Sequence, residues 1–190
     1  ILYVGDVNWN KNILGMLEAF QGVKSLKLKV KSGNQELKQD IKLVLVGKAF
    51  VDRSPEANAI QASIDRLGIR DEVMTPGFVP FEDLPALYSL ASVYIQPSHY
   101  EGFGLPVLEA MACGCPVVCS YVASLREIGG PAISVDPNDP ENIASGIFRV
   151  VSMTKDEKEK LVRDGLAWAK KFSWGTVAAQ TVASYEKALA

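Results

Sequence analysis

The sequence predicts an α/β fold: a Rossmann-like, doubly wound parallel sheet of about six strands with extra helices at the C-terminal end. Three observations predict it. Short Val/Ile/Leu-rich runs alternate with longer stretches of helical periodicity along the 190 residues. Several of these runs are apolar on both faces, as Leu43-Val44-Leu45-Val46 shows, and a strand apolar on both faces belongs in a parallel sheet covered by helices on each side. Strand and helix in strict alternation imply βαβ units.

The first strand falls at residues 2–5, and the helix after it carries Ile13, Leu14, Leu17 and Phe20 on one inward stripe. Residues 24–39 are polar and Lys-rich, with Ser32-Gly33-Asn34 as a turn, and read as a surface excursion without function. A second strand at 42–47 leads to a helix with Ile60, Ile64 and Leu67 on its stripe, ended by Gly68. Further strands are expected at 73–75, 93–96, 116–119 and 132–135. From Thr154 the chain turns helical: Thr154 and Glu157 form a capping box, residues 155–160 make a solvated charged face, and Leu161, Val162 and Phe172 point inward. The last helix begins near Ser173 and sets Trp174, Val177, Ala178, Thr181, Val182, Tyr185 and Leu189 at i, i+3, i+4 spacing. Such a stripe needs a surface to cover.

Composition bounds the function. An apolar fraction of 48% with 22% charged residues excludes disorder and a disulfide-stapled miniprotein. Folding a chain of this length buries roughly 70% of its surface, enough for a core without metals or bridges. Twenty basic against 22 acidic residues give a net charge of −2, so no basic field exists to hold nucleic acid or anionic lipid by charge alone. Any anionic ligand must be met locally. The chain opens at Ile1 inside the apolar run Ile1-Leu2-Tyr3-Val4, which reads as a fragment cut at a domain boundary. No stretch approaches the length of a membrane span.

Ligands of doubly wound sheets bind beyond the carboxyl ends of the strands, and the segment SHYEGFGLPVLEAMACGCPVV (residues 98–118) is the richest there. Gly102, Gly104 and Pro106 exclude a helix before Leu105, while Pro106 suits a first helical turn. Strand, glycine turn and helix N-terminus therefore follow in order, aiming free N–H groups and a positive dipole end at the ligand edge, a site for phosphate. Glu101 precedes this helix and Glu109 lies about one turn into it. Ionised carboxylates accept but cannot donate, and their natural neutral partner is a vicinal diol of a sugar or ribose. Phosphate plus diols suggests a nucleotide sugar. Standing alone, Glu109 would read as an acid that merely complements the helix dipole.

The run EGFGLPVLEAMACGCPVV closely resembles the Glu-x7-Glu region of the retaining group 1 glycosyltransferases, family four among the sugar-nucleotide transferases. The likeness extends through YVGDVNWNKNILGMLEAF (3–20), KLVLVG, GFVPFEDLPALYSLASVYIQPS (77–98), ASLREIGGPAISVDPNDPENIA and FSWGTVAAQTVASYEKAL. These proteins have two Rossmann-like halves, the GT-B architecture. The resemblance implies that residues 1–190 are the C-terminal, donor-binding half, with the N-terminal acceptor-binding domain absent from this chain. It implies transfer of a hexosyl unit from a nucleoside diphosphate sugar to an acceptor sugar or glycoconjugate, with no cofactor and no metal. Glu101 would lie nearest the donor sugar and Glu109 would bind the ribose hydroxyls. The N–H groups of Phe103, Gly104 and Leu105, beside Gly102, would meet sugar and diphosphate, Gly5 would mark the phosphate-side turn, and Lys11 would neutralise the leaving diphosphate. The base would lie against residues 77–80, with Phe78 and Val79 in its wall, and near Leu84; Phe81 is expected in the core. The resemblance also implies that the last helix crosses to the other half and that the isolated fragment transfers no sugar.

One departure stands out. The family commonly has Arg after the glycine that Gly5 matches, whereas this chain has Asp6, which would repel a diphosphate unless it points away or caps the next helix. Lys48 and Arg126 are the available substitute cations at the same sheet edge, each equally readable as an exposed loop residue. His99, beside Glu101, is a further candidate for the donor sugar. Cys113, Cys115 and Cys119 lack a zinc-site spacing and read as small buried thiols; an odd count without a framework suits a reducing cytosol, with peripheral membrane association left to the missing half. The alternative is a non-catalytic sugar-nucleotide-binding or protein-interaction module, which Asp6 favours. A dinucleotide-dependent oxidoreductase is disfavoured, because Gly5-Asp6-Val7-Asn8 is not a Gly-x-Gly-x-x-Gly turn.

Overall fold

Side chains of each strand leave alternately to the two faces of the sheet, and both faces are apolar, so two core layers form. The computed structural model describes residues 1–25 and 41–189; most of the expected surface excursion, residues 26–39, lies outside them. The strands are β1 (Leu2–Val4), β2 (Leu43–Val46), β3 (Val73–Gly77), β4 (Tyr94–Gln96), β5 (Val117–Ser120) and β6 (Ile133–Val135), each within two residues of its expected bounds. Tyr3, Leu43, Leu45, Val93, Ile95 and Val118 point into one layer; Leu2, Val46, Tyr94, Val117 and Cys119 point into the other. Each such fully buried aliphatic contributes roughly 1.5–3 kcal/mol of transfer free energy.

Helices α1 (Ile13–Ser25), α2 (Pro55–Arg66) and α6 (Pro140–Val151) cover the first layer, with Met16, Leu17, Phe20, Ile60, Ile64, Ile143 and Ile147 buried. Helices α3 (Leu84–Leu90), α4 (Leu105–Ala112), α5 (Leu125–Ile128) and α7 (Lys155–Ala169) cover the second, through Tyr88, Val107, Met111, Leu125 and Ala169. Their ends follow from local chemistry. Ser54 caps α2 by accepting from the Ala57 N–H at 3.1 Å, with Pro55 in the first turn. Asp139 caps α6 in the same manner, and the capping box of Thr154 and Glu157 starts α7 as expected.

All strands are parallel, in the order β3-β2-β1-β4-β5-β6. The order reverses between β1 and β4, and in open sheets of this kind the crevice at such a reversal, beyond the carboxyl ends, is where ligands bind. It places Gly5, after β1, beside residues 97–101, after β4.

Several expectations need correcting. Leu14 is 46% exposed, and Met16 takes its place on the buried stripe of α1. Phe81 is 74% exposed instead of in the core, because it sits in a 3-10 turn before α3 that lies over the sheet's rim. Phe172 stays at the surface, its ring 5.9 Å from that of Trp168. Asp6 is exposed and does not cap α1: the Met16 N–H donates to the Asn12 carbonyl, so Asn12 holds that position. Helix α8 (Trp174–Leu189), started by Ser173, which accepts from the Thr176 N–H, buries no residue. Its stripe, with Trp174 78% and Tyr185 67% exposed, covers nothing among the described residues. No helix among the described residues is long and apolar enough to cross a membrane.

Candidate functional site

The crevice between β1 and β4 is built by two loops tied to each other. After β1 the chain runs through Gly5 into a 3-10 turn (Trp9–Lys11) and then α1; after β4 it runs through Pro97 to Glu101. The Asn10 side chain donates to the Tyr100 carbonyl at 3.0 Å, the His99 N–H donates to the Asn10 carbonyl at 2.7 Å, and the Asn12 amide donates to the carbonyls of Pro97 and Pro137 at 3.0 and 2.7 Å. Asn12 adopts a left-handed conformation to do this, with φ of 54°. These bonds join residues between 85 and 125 positions apart, so the sequence held no local sign of them.

At the centre, Lys11 Nζ lies 2.9 and 2.8 Å from the two carboxylate oxygens of Glu101. The carboxylate is buried, and two further groups donate to its Oε1: Gln96 Nε2 and Ser98 Oγ, each at 2.7 Å. An ionised carboxylate out of water needs this many donors. Behind them stand buried hydroxyls. The Tyr94 hydroxyl donates to Gln96 Oε1, Ser120 Oγ donates to the Ser98 carbonyl at 2.5 Å, and Ser124 Oγ donates to the Glu101 carbonyl at 2.9 Å. No buried side-chain nitrogen or oxygen among the described residues lacks a partner.

Glu109 is half-buried one turn into α4, where the Tyr88 hydroxyl donates to its Oε2 at 3.0 Å. Tyr88 packs edge-on against Tyr94, ring centroids 5.5 Å apart. The two glutamates are thus joined from behind by a row of Glu109, Tyr88, Tyr94, Gln96 and Glu101. Burial pushes both tyrosine hydroxyls far above their ordinary value of 10.0, reinforced by Glu109 for Tyr88 and by the neighbouring tyrosines and then the two glutamates for Tyr94, so both remain donors across the working pH range.

Between the glutamates lies the glycine turn. Gly104 has φ of +104°, and a Cβ there would come within 2.6 Å of Leu125 Cδ2 in α5, so both backbone and space require glycine. The N–H groups of Phe103, Gly104 and Leu105 have no acceptor among the described residues, as the open end of a helix demands. Gly102, Phe103 and Leu105 are exposed at this edge. Gly5 donates to the Val46 carbonyl at 3.0 Å, and its own carbonyl would lie 2.2 Å from a Cβ on Gly47, which brings the loops after β1 and β2 together.

The remaining candidates sit around this centre without joining it. Lys48 is exposed, with Asp52 as its charged neighbour. Arg126 donates to the Tyr121 carbonyl at 3.2 Å and lies over the Tyr121 ring, 5.4 Å from its centroid. His99 lines a cleft of about 490 Å³ with Trp9, Asn12, Ile13 and Glu56, on the α1–α2 side. Phe78 is exposed and Val79 half-buried at the end of β3. Cys115 and Cys119 are buried, and burial pushes each thiol up from 9.0 to about 12; half-buried Cys113 is raised less.

The matches to known proteins agree with this geometry. The family model described as glycosyl transferases group 1 matches residues 1–166. O-antigen chain mannosyltransferase B of Escherichia coli is 39% identical over 187 residues, which cover 97% of this chain and 45% of that protein. MMP alpha-(1->4)-mannosyltransferase of Mycolicibacterium hassiacum is 40% identical over 159 residues, 81% of this chain and 37% of that one. The chain therefore spans less than half the length of these relatives. Among solved structures, sucrose-phosphate synthase of Thermosynechococcus elongatus superimposes with a TM-score of 0.81 at 29% identity over 99% of this chain and 45% of that one. HepE of Anabaena in complex with UDP does so with a TM-score of 0.79 over 98% of this chain and 48% of that one; at 20% identity it speaks for the fold alone.

Proposed function

Because this chain belongs to the group 1 glycosyl transferases, we propose that it is the donor-binding half of a retaining hexosyltransferase, which moves a sugar from a nucleoside diphosphate to an acceptor hydroxyl. The observation that carries the reading is the pairing of Lys11 with Glu101 at the strand-order reversal, beside the open N-terminus of α4. A cation, a ring of free N–H groups and two carboxylates at one edge match a diphosphate flanked by two polyols.

The diphosphate meets the N–H groups of Phe103, Gly104 and Leu105, where the helix dipole favours negative charge. Lys11 exchanges one carboxylate oxygen for a phosphate oxygen. As the glycosyl–phosphate bond breaks, negative charge builds on the leaving diphosphate, and the ammonium group stabilises it. Positive charge builds at the anomeric carbon at the same time, and the buried Glu101 carboxylate, freed of part of its own counter-ion, faces it. The acceptor hydroxyl attacks from the face the diphosphate leaves, which retains configuration. Glu109, held by Tyr88, takes the ribose hydroxyls, and the base rests on Phe78 and Val79. Lys11 does the work a metal would otherwise do for the diphosphate, so no divalent ion enters this scheme. Two relatives are named mannosyltransferases, which supports mannose as the first sugar to test.

The acceptor and the second Rossmann-like half belong to the part of the protein outside this chain, and the apolar stripe of α8 rests against that half. The site works in the cytosol, where its thiols stay reduced.

The test is transferase activity of the full-length protein with GDP-mannose and UDP-glucose as donors. Glu101→Gln and Lys11→Ala should each lower kcat by roughly 10²–10³-fold, the size of losing one group that stabilises transition-state charge. Unchanged activity in both variants would remove the proposed roles, and an inverted product anomer would remove the retaining mechanism.

A further inference from the structure

The Glu101 carboxylate is held asymmetrically. Its Oε1 accepts from Gln96 Nε2 at 2.7 Å, Ser98 Oγ at 2.7 Å and Lys11 Nζ at 2.9 Å, whereas its Oε2 accepts from Lys11 alone, at 2.8 Å. When Lys11 gives up its contact to Oε2 for a diphosphate oxygen, Oε1 keeps its donors and Oε2 keeps none. A ligand hydroxyl or a developing positive charge is then offered one oxygen in one fixed direction.

Gln96 is the member of this set that folding alone does not explain. It is the last residue of β4 and is 2% exposed between two apolar layers, a place that an aliphatic side chain would fill at lower desolvation cost. Its amide is oriented from behind. The buried Tyr94 hydroxyl donates to Gln96 Oε1, which leaves Nε2 to face Ser98 and Glu101. A carboxylate cannot donate, so the reversed amide would set two acceptors against each other. Tyr94 is in turn packed against Tyr88, which holds Glu109.

We propose that Gln96 is a positioning residue for Glu101: oriented by Tyr94, it pins Oε1 so that Oε2 alone faces the donor sugar. The inference rests on the reading of Glu101 given above. Gln96 touches no substrate in this scheme; it acts through the carboxylate it holds.

The experiment is a double-mutant cycle in the full-length protein, with kcat and donor KM measured for the parent protein, Gln96→Leu, Glu101→Gln and the pair, and thermal unfolding followed for each. Gln96→Leu keeps the volume and removes the donor, and should lower kcat by about ten- to a hundredfold with KM within about twofold of the parent value. In the Glu101→Gln background the same change should have little further effect on kcat. Tyr94→Phe, which removes the donor to Gln96 Oε1 and leaves the amide held only from the Glu101 side, should shift kcat in the same direction by a smaller factor. Equal losses from Gln96→Leu in both backgrounds, or a loss that appears only as a lower unfolding temperature with kcat intact, would overturn the positioning role. If Glu101→Gln itself left kcat unchanged, the underlying reading of Glu101 would fail and the inference with it, an outcome distinct from a silent Gln96→Leu beside a crippled Glu101→Gln.

Discussion

At the scale of single residues, Lys11 and Glu101 serve stability and chemistry together. Removing the cation leaves a buried carboxylate with two neutral donors in place of three partners. Lys11→Met should therefore cost about 1–3 kcal/mol in chemical denaturation, a loss that adding Glu101→Gln to Lys11→Met, which removes the unpaired charge as well, should largely relieve. The thiols give a second residue-scale outcome. Cys119 ionises near its ordinary 9.0 when unfolded, but the fold holds its proton to about 12, as it does for Cys115. The stability they contribute is complete below pH 9.0 and falls as pH rises toward 12, because only the unfolded thiols release protons there. Unfolding temperatures measured from pH 8 to 11 should decline, and Cys119→Ala should flatten part of that decline; in the native protein a thiol reagent should reach Cys113 first. Glu101, Glu109 and the glycine turn were legible because they lie within one short segment whose residue types carry their own chemistry. Gln96, Ser98, Asn12 and Tyr88 were not. A glutamine ending a strand or an asparagine before a helix has many uses, and only the fold selects one: the path of the loop after β4 brings Gln96 and Ser98 onto Glu101, and the approach of β1 to β4 brings Asn12 to Pro97.

At the scale of elements, alternation of strand and helix was read correctly because several strands, β2 most clearly, are apolar on both sides, as a parallel sheet covered by helices requires. The order of the strands, and hence which loops meet, was beyond reach, since pairing is a property of the sheet and not of any strand. The exposed turns went wrong for a related reason. Phe81 in its 3-10 turn and Leu14 in the first turn of α1 are apolar yet exposed, and hydrophobicity alone does not report which side of a turn meets water. The start of α4 depends most on one residue. Gly104→Ala would place a methyl within 2.6 Å of Leu125 at a φ of +104°, so it should cost about 1–3 kcal/mol and shift the N–H groups that face the diphosphate. Weaker nucleotide binding beyond what lowered stability accounts for would show this. Thr154→Ala, by contrast, should cost about 1 kcal/mol as the loss of a helix cap and leave binding untouched, because the capping bonds of Thr154 run to Glu157 and to no residue of the crevice.

For the whole molecule, a net charge of −2 accords with the proposal that an anion is held by backbone N–H groups and one lysine instead of by a basic surface. The same molecule carries α8 with no buried residue. Trp174→Ser with Tyr185→Ser should change the chain's own stability by less than about 0.5 kcal/mol, while the proposal that the stripe rests against the other half predicts strong destabilisation by the same pair in the full-length protein. Equal, small effects in both settings would separate α8 from that role. The proposed function requires the edge between β1 and β4 to be a nucleotide site. Calorimetric titration of this chain with UDP, GDP and ADP tests it most directly. The prediction is that one of the three binds in the millimolar range or tighter and that Glu109→Ala weakens it. Absence of binding by all three at millimolar concentration, or binding indifferent to Glu109, would contradict it.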